Sequence, residues 1–194
     1  MHQKPFELWR SRRQQDWDQA LRAYWDTVPA RSMEIERAMD NLSLSRISQM
    51  DESDWFLFLR DEYFYWKFMV RKRNTNYLEK QSRAELFEIK RELLDMRFSD
   101  DDRDGIRRAI RAADKVAGLD VKSATGLLAV MYPKWFGTVD RHVIDCLQTI
   151  SELPEFDAIQ EMSARKNVTV DDATLLVLVM RTALSEKSSV TGIP

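Results

Sequence analysis

Gly118 stands between two helix-forming runs, and the first of them carries Arg107, Arg111 and Lys115 at i, i+4 and i+8, with Arg108 beside them. Cations in that pattern bind a phosphate backbone without reading its sequence, through release of the counterions condensed on it. Gly118 can take the positive φ that a short reversal between helices needs. The first amides of the next run, from Leu119, Asp120, Val121 and Ser123, would then face outward with the helix dipole behind them, a place for a phosphate. Lys122 lies in the same run, and 18 positions further on Asp140 opens another helix. An amine attacks carbon only when part of it is unprotonated, which desolvation or neighbouring positive charge brings about. A carboxylate at a helix N-terminus can stabilise a developing cation. The pattern thus offers a place for a phosphate, with an amine and a carboxylate further along.

The order of these residues resembles a known signature. Val116-Ala117-Gly118-Leu119-Asp120-Val121-Lys122-Ser123-Ala124, then a helix, a loop and Val139-Asp140-Arg141-His142-Val143, is similar to the catalytic segment of the helix-hairpin-helix DNA glycosylases. The lysine-to-aspartate spacing matches the endonuclease III-like members and places the chain near the 8-oxoguanine glycosylase-like branch. The resemblance covers residues 116–147. It implies an all-α fold with a helix-hairpin-helix at 103–132 and a base excision repair activity on DNA. The target nucleotide is flipped out of the duplex, Lys122 displaces the damaged or modified base and forms an imine, and Asp140 stabilises the cationic sugar. Gly118, Leu119, Asp120, Val121, Ser123, Arg107, Arg108, Arg111, Lys115 and His142 would touch DNA. Tyr63 and Trp66 are candidates for the wall of a base pocket.

Two positions depart from the signature: Ala117 stands where the family has proline, and Asp120 replaces its second hairpin glycine. A carboxylate at the hairpin tip repels phosphate unless it turns away or holds a cation. The alternative is therefore a catalytically inactive module that binds DNA or protein through the same hairpin. A third reading, an adaptor without a nucleic-acid role, would use the exposed part of the aromatic helix at 55–68.

The rest of the chain must position these groups. Five glycines and five prolines among 194 residues, with apolar residues recurring near every 3.6 positions, point to helices and no substantial sheet. The spacing predicts a helix over 6–27 with an inward stripe of Trp17, Leu21, Tyr24, Trp25 and Val28, then one over 31–41. A further helix over 52–71 carries Phe56, Leu59, Tyr63, Trp66 and Val70, and eight of the chain's 20 aromatics lie within 55–68. Arg71, Lys72 and Arg73 follow as its basic end. Ser82 with Glu85 forms a capping box for a helix ending near residue 97, with Leu86, Ile89, Leu93 and Met96 inward. Ser99 and residues 100–102 start the first hairpin helix, with Ile106, Ile110 and Ala113 inward. Residues 122–132 form its partner, and Asp140 starts a helix that holds Val143, Ile144, Leu147 and Ile150 in register. Thr169 and Asp172 cap an apolar, central last helix. These elements form a single helical unit, divisible into packed lobes of about 30–100 and of 1–29 with 101–194.

Bulk properties narrow the classes. Thirty basic against 32 acidic residues leave a net charge of −2, so any basic surface must be local. One cysteine, Cys146, excludes an intrachain disulfide and a four-thiolate cluster. No metal and no cofactor are expected. The N-terminal residues lack an apolar core and the apolar run 175–180 is too short to cross a bilayer, so the expectation is a cytoplasmic protein with no membrane; DNA is the partner that the resemblance implies.

Overall fold

A computed structural model describes residues 5–191, apart from Arg12, Met69, Val70, Asp101 and Lys166. It is all-helical, with no strand among the described residues. In order these are α1 (Pro5–Arg10), α2 (Gln14–Thr27), α3 (Ala30–Asp40), α4 (Leu44–Gln49) and α5 (Glu52–Leu57). After a π-helical turn (Phe58–Tyr63) come α6 (Phe64–Lys67), α7 (Lys72–Leu78), α8 (Arg83–Leu94) and α9 (Arg103–Asp114). The chain continues through α10 (Val121–Met131), α11 (Arg141–Leu147), α12 (Phe156–Ala164) and α13 (Val170–Thr191).

Local chemistry starts many of these helices. Ser43, Asp51, Ser82, Asp102, Asp120 and Asp140 each accept the N–H three residues on, satisfying a donor that the helix itself leaves free. Each such cap contributes about 1 kcal/mol. At α13 the cap is reciprocal: Asp172 accepts the Thr169 N–H at 2.9 Å and the Thr169 hydroxyl accepts the Asp172 N–H at 3.2 Å. Burial alone would raise the Asp172 carboxyl, but hydrogen bonds from Thr169 and then Arg165 outweigh it and hold the group below its ordinary value. A carboxyl lowered in the folded state stabilises fully above its unfolded value of about 3.9 and stops doing so as pH falls through the folded one. Asp172→Asn is accordingly expected to melt below the wild type at neutral pH, the gap closing in acid. Paired melts across pH check this, and a gap independent of pH would contradict it.

The core is one contiguous cluster running from Met39 to Val179. Trp55, Phe58, Tyr63 and Phe64 are buried together, with Trp55 stacked on Phe58 at 5.4 Å and its indole N–H donating to the Leu86 carbonyl. That anchors α5 to α8. Ile106, Ala109, Ile110 and Ala113 line the buried face of α9, which packs against α10 and α13. The cluster is continuous from α8 to α9, across the boundary drawn between the two lobes.

Several sequence expectations need correction. The helix over 6–27 is two helices, because Ser11 offers the backbone other partners: its hydroxyl accepts the Arg13 N–H and its carbonyl accepts the Trp17 indole N–H. The α2 stripe is not core, since Leu21 and Tyr24 are exposed. The helix over 52–71 widens into the π turn and stops at Lys67, and Val70 lies outside the described residues. Arg71, Lys72 and Arg73 do not end that helix; they begin α7. Helix α8 stops at Leu94, short of residue 97, and α11 stops at Leu147, leaving Ile150 buried beyond it. Helices α4, α7 and α12 had no counterpart in the sequence reading.

Candidate functional site at the helix hairpin

The hairpin turns at Gly118, whose φ of +94° is the one positive value among the described residues. Its carbonyl accepts the Asn74 side-chain amide at 2.6 Å. Gln81 holds the other strand of the turn, donating to the Lys115 carbonyl at 3.0 Å and accepting the Ala117 N–H at 2.8 Å. Helix α7 and the turn after it therefore clamp the hairpin. Asp120 caps α10, accepting both the N–H and the hydroxyl of Ser123 at 2.8 and 2.7 Å. Its carboxylate thus occupies the amide that a docked phosphate would take. Ser123 is buried with both its donors used, which corrects its assignment as a DNA contact. Leu119 and Val121 are partly buried against the core.

One hydroxyl ties the lysine segment to the aspartate segment. Thr125 is fully buried; its Oγ1 donates to the Lys122 carbonyl at 2.8 Å and accepts the Val139 N–H at 2.9 Å. The clasp sets the Val139–Asp140 turn directly beside the first turn of α10. Asp140 caps α11 through the Val143 N–H at 2.9 Å. Lys122 and Asp140 are both partly buried. Their charges, with that of Asp120, converge on the amine of Lys67 at the end of α6. Burial pushes that amine below its ordinary range; Asp140 and Asp120 pull it back up, and Lys122 pushes it further down. The same field reaches Asp114, raised by burial and by Asp120, and Cys146, raised by burial and then by Asp145 and Asp140. The arrangement gathers two amines and two carboxylates at one junction.

Sequence reasoning missed Lys67. The signal was a lysine inside the aromatic block, which holds one other cation, Arg60; it lies one turn after Tyr63 and so on its face of a helix. Tyr63 itself cannot line a base pocket: it is fully buried, and its hydroxyl donates to the Ser123 carbonyl. It braces α10 instead. Burial and the charge of Asp120 raise its hydroxyl well above the ordinary tyrosine range. Trp66 is partly buried, with its indole N–H donated to Glu36 at 2.9 Å and its ring 5.8 Å from that of Tyr63.

The basic stripe on α9 is partly neutralised. Arg107 pairs with Asp171 at 2.8 Å and Asp104 at 3.1 Å, and Lys115 pairs with Glu92 at 2.7 Å. Exposed pairs of this kind contribute little to stability, but they lower the local positive potential. Arg108, Arg111 and His142 are exposed, and no ion pair joins Arg108 or Arg111 to another described residue. Two open surface hollows, of about 500 and 340 Å³, lie elsewhere: one between acidic residues of α8 and Lys115, the other between Arg60 and α7. Neither is lined by Lys122 or Asp140. Among the described residues no group of three His, Cys, Asp or Glu side chains is placed to hold a metal ion, and no helix is long and apolar enough to cross a membrane. Comparison with protein-family models, with curated proteins and with solved structures found no match to this chain.

Proposed function

We propose that the chain is a DNA N-glycosylase with AP lyase activity, acting on a damaged or modified base flipped out of the duplex. The observation that supports this is the Thr125 clasp, which puts an amine-bearing turn and a carboxylate-bearing turn side by side at a partly buried junction. In its neutral form the Lys122 amine forms a bond to the sugar's anomeric carbon as the glycosidic bond breaks. That bonding pair leaves with the base, which gains a proton from water. Loss of the amine proton and ring opening then give an imine. Asp140, fixed by the Val143 N–H, faces the positive charge that develops on the sugar. Borohydride reduces such an imine to a stable adduct. The expected result with a panel of lesion duplexes is a covalent protein–DNA species that Lys122→Ala diminishes sharply while the melting temperature stays unchanged. Base release and trapping absent across the whole panel, from protein shown to be folded, would remove the enzyme reading.

A second reading is a non-catalytic hairpin module that binds DNA or protein. It is favoured by Asp120, which places a fixed negative charge where the hairpin would meet phosphate. Under that reading Lys122→Ala retains full binding, the binding weakens steeply with salt, and Asp120→Asn strengthens binding to duplex DNA. Mobility shifts at two salt concentrations separate the two readings. An Asp120→Asn protein that binds no better than the wild type would count against any phosphate contact at the hairpin.

A further inference from the structure

Lys67 has no part in the mechanism above, yet it sits where the site's charges meet. It closes α6, one turn after Tyr63, and its stem runs into the notch that Gly126 leaves on α10. A Cβ at Gly126 would lie 3.1 Å from the Lys67 amine, 3.2 Å from its Cε and 2.8 Å from the Tyr63 hydroxyl. Tyr63 is locked to the Ser123 carbonyl, and the indole of Trp66 lies 5.7 Å from the Lys67 amine. Packing therefore holds the amine in place from several sides. Buried lysines normally spend their donors, as Lys90 does on the carbonyls of Ser48 and Met50. Lys67, which is only partly buried, does not: no hydrogen bond or ion pair joins it to another described residue, although Asp120, Asp140 and Lys122 all act on it.

We propose that Lys67 is a second reactive amine of this site, one that takes an aldehyde, such as the ring-opened sugar of an abasic nucleotide, as an imine. A lysine placed this way has the two properties an imine-forming residue needs: partial desolvation and a second amine nearby, both of which favour its neutral form. The lone pair of neutral Lys67 adds to the aldehyde carbon, and the carbonyl π pair moves to oxygen. Proton transfer from nitrogen to oxygen, one further proton from solvent and loss of water leave a protonated imine. Asp140 and Asp120 flank the cation so formed. The sugar as ligand rests on the lyase reading; the reactivity of the amine does not.

The test uses the full chain and needs no variant for its first readout. Limiting ¹³C-formaldehyde with a mild borane reductant at neutral pH, followed by peptide mapping, ranks the lysines by free-amine reactivity. Lys67 is expected to label faster than the median lysine, the direction in which partial desolvation moves its amine. Labelling of Lys67 at or below the median overturns the proposal. The second readout traps a duplex carrying an abasic site with borohydride, using the Lys122→Ala protein. The expected adduct maps to Lys67 and disappears when Lys67→Met, whose stem fills the same notch, is added; an adduct on other lysines alone overturns the proposal. Fast Lys67 labelling with no DNA adduct from wild type or variant sinks the lyase reading and upholds the reactive amine.

Discussion

An alanine at Gly118 is expected to lower the unfolding free energy by about 2–4 kcal/mol, from two separable causes. The first is conformational: at φ +94° an L side chain crowds its own backbone, at a cost of about 1–2 kcal/mol. The second is contact. A Cβ there would lie 2.4 Å from the main-chain oxygen of Asn74, which cannot rotate away as a side chain can. Relief requires α7 to shift, and the Asn74 amide then loses its hold on the Gly118 carbonyl. Since 1 kcal/mol moves the melting temperature of a chain this size by about 2–4 °C, the variant should melt roughly 5–15 °C below the wild type. Gly137→Ala is the control. Its Cβ would meet only the terminal sulfur and methyl of Met180, which can swing clear, so the change should stay below about 1 kcal/mol. Equal melting of the two variants would mean that the hairpin is not clamped as described.

Thr125→Val should show the largest effect on the proposed chemistry. The two side chains share a shape, so the packing of this fully buried position survives while the hydroxyl is lost. The Val139 N–H is then buried without a partner and the Lys122 carbonyl loses a donor, at a cost of about 1–3 kcal/mol. With the clasp gone, nothing else described here ties the Val139–Asp140 turn to α10 by a hydrogen bond. A displacement near 1 Å at such a site lowers a rate by about 10²-fold, which sets the expected fall in adduct formation. Thr125→Ser restores the hydroxyl and should recover most of that rate despite its lost methyl. Trapping at the wild-type rate by the valine variant, with stability unchanged, would show that the clasp does not position the aspartate.

These features differ in how far the chain's own pattern reveals them, and the reason is the range of the forces involved. The cap at Asp102 with Ile106, Ile110 and Ala113 behind it is readable because every term is local, and α9 forms where that pattern places it. The same holds for Thr169 with Asp172. Helix α7 escapes such a reading: only Leu78 is buried in it, and its place in the fold comes from Asn74 and Gln81 reaching more than 30 positions along the chain. Helix α2 fails in the opposite way, for its stripe is regular but Leu21 and Tyr24 meet no core. Periodicity reports that a face exists, not what covers it. In the site, the spacing of Lys122 and Asp140 does not show what joins their turns; the buried Thr125 hydroxyl does, through bonds to the Lys122 carbonyl and the Val139 N–H. The turn of Asp120 back onto Ser123 follows from a competition the pattern does not display: its nearest donors are the amide and hydroxyl of its own helix. Lys67 was hidden because what packs around its amine is the notch at Gly126, far along the chain from it.

The π-helical turn before α6 carries a consequence for insertions and deletions. A π-helical segment accommodates one more residue than an ordinary helix over the same rise, and each residue of an α-helix advances the azimuth by about 100°. Excising a single residue from Phe58–Tyr63 would therefore regularise the backbone and leave the facing of everything downstream nearly unchanged, with Lys67 still on the flank of α10. The same excision from the ordinary helix that follows would instead swing the amine by about 100°, so these six positions are where the chain tolerates the loss of a residue.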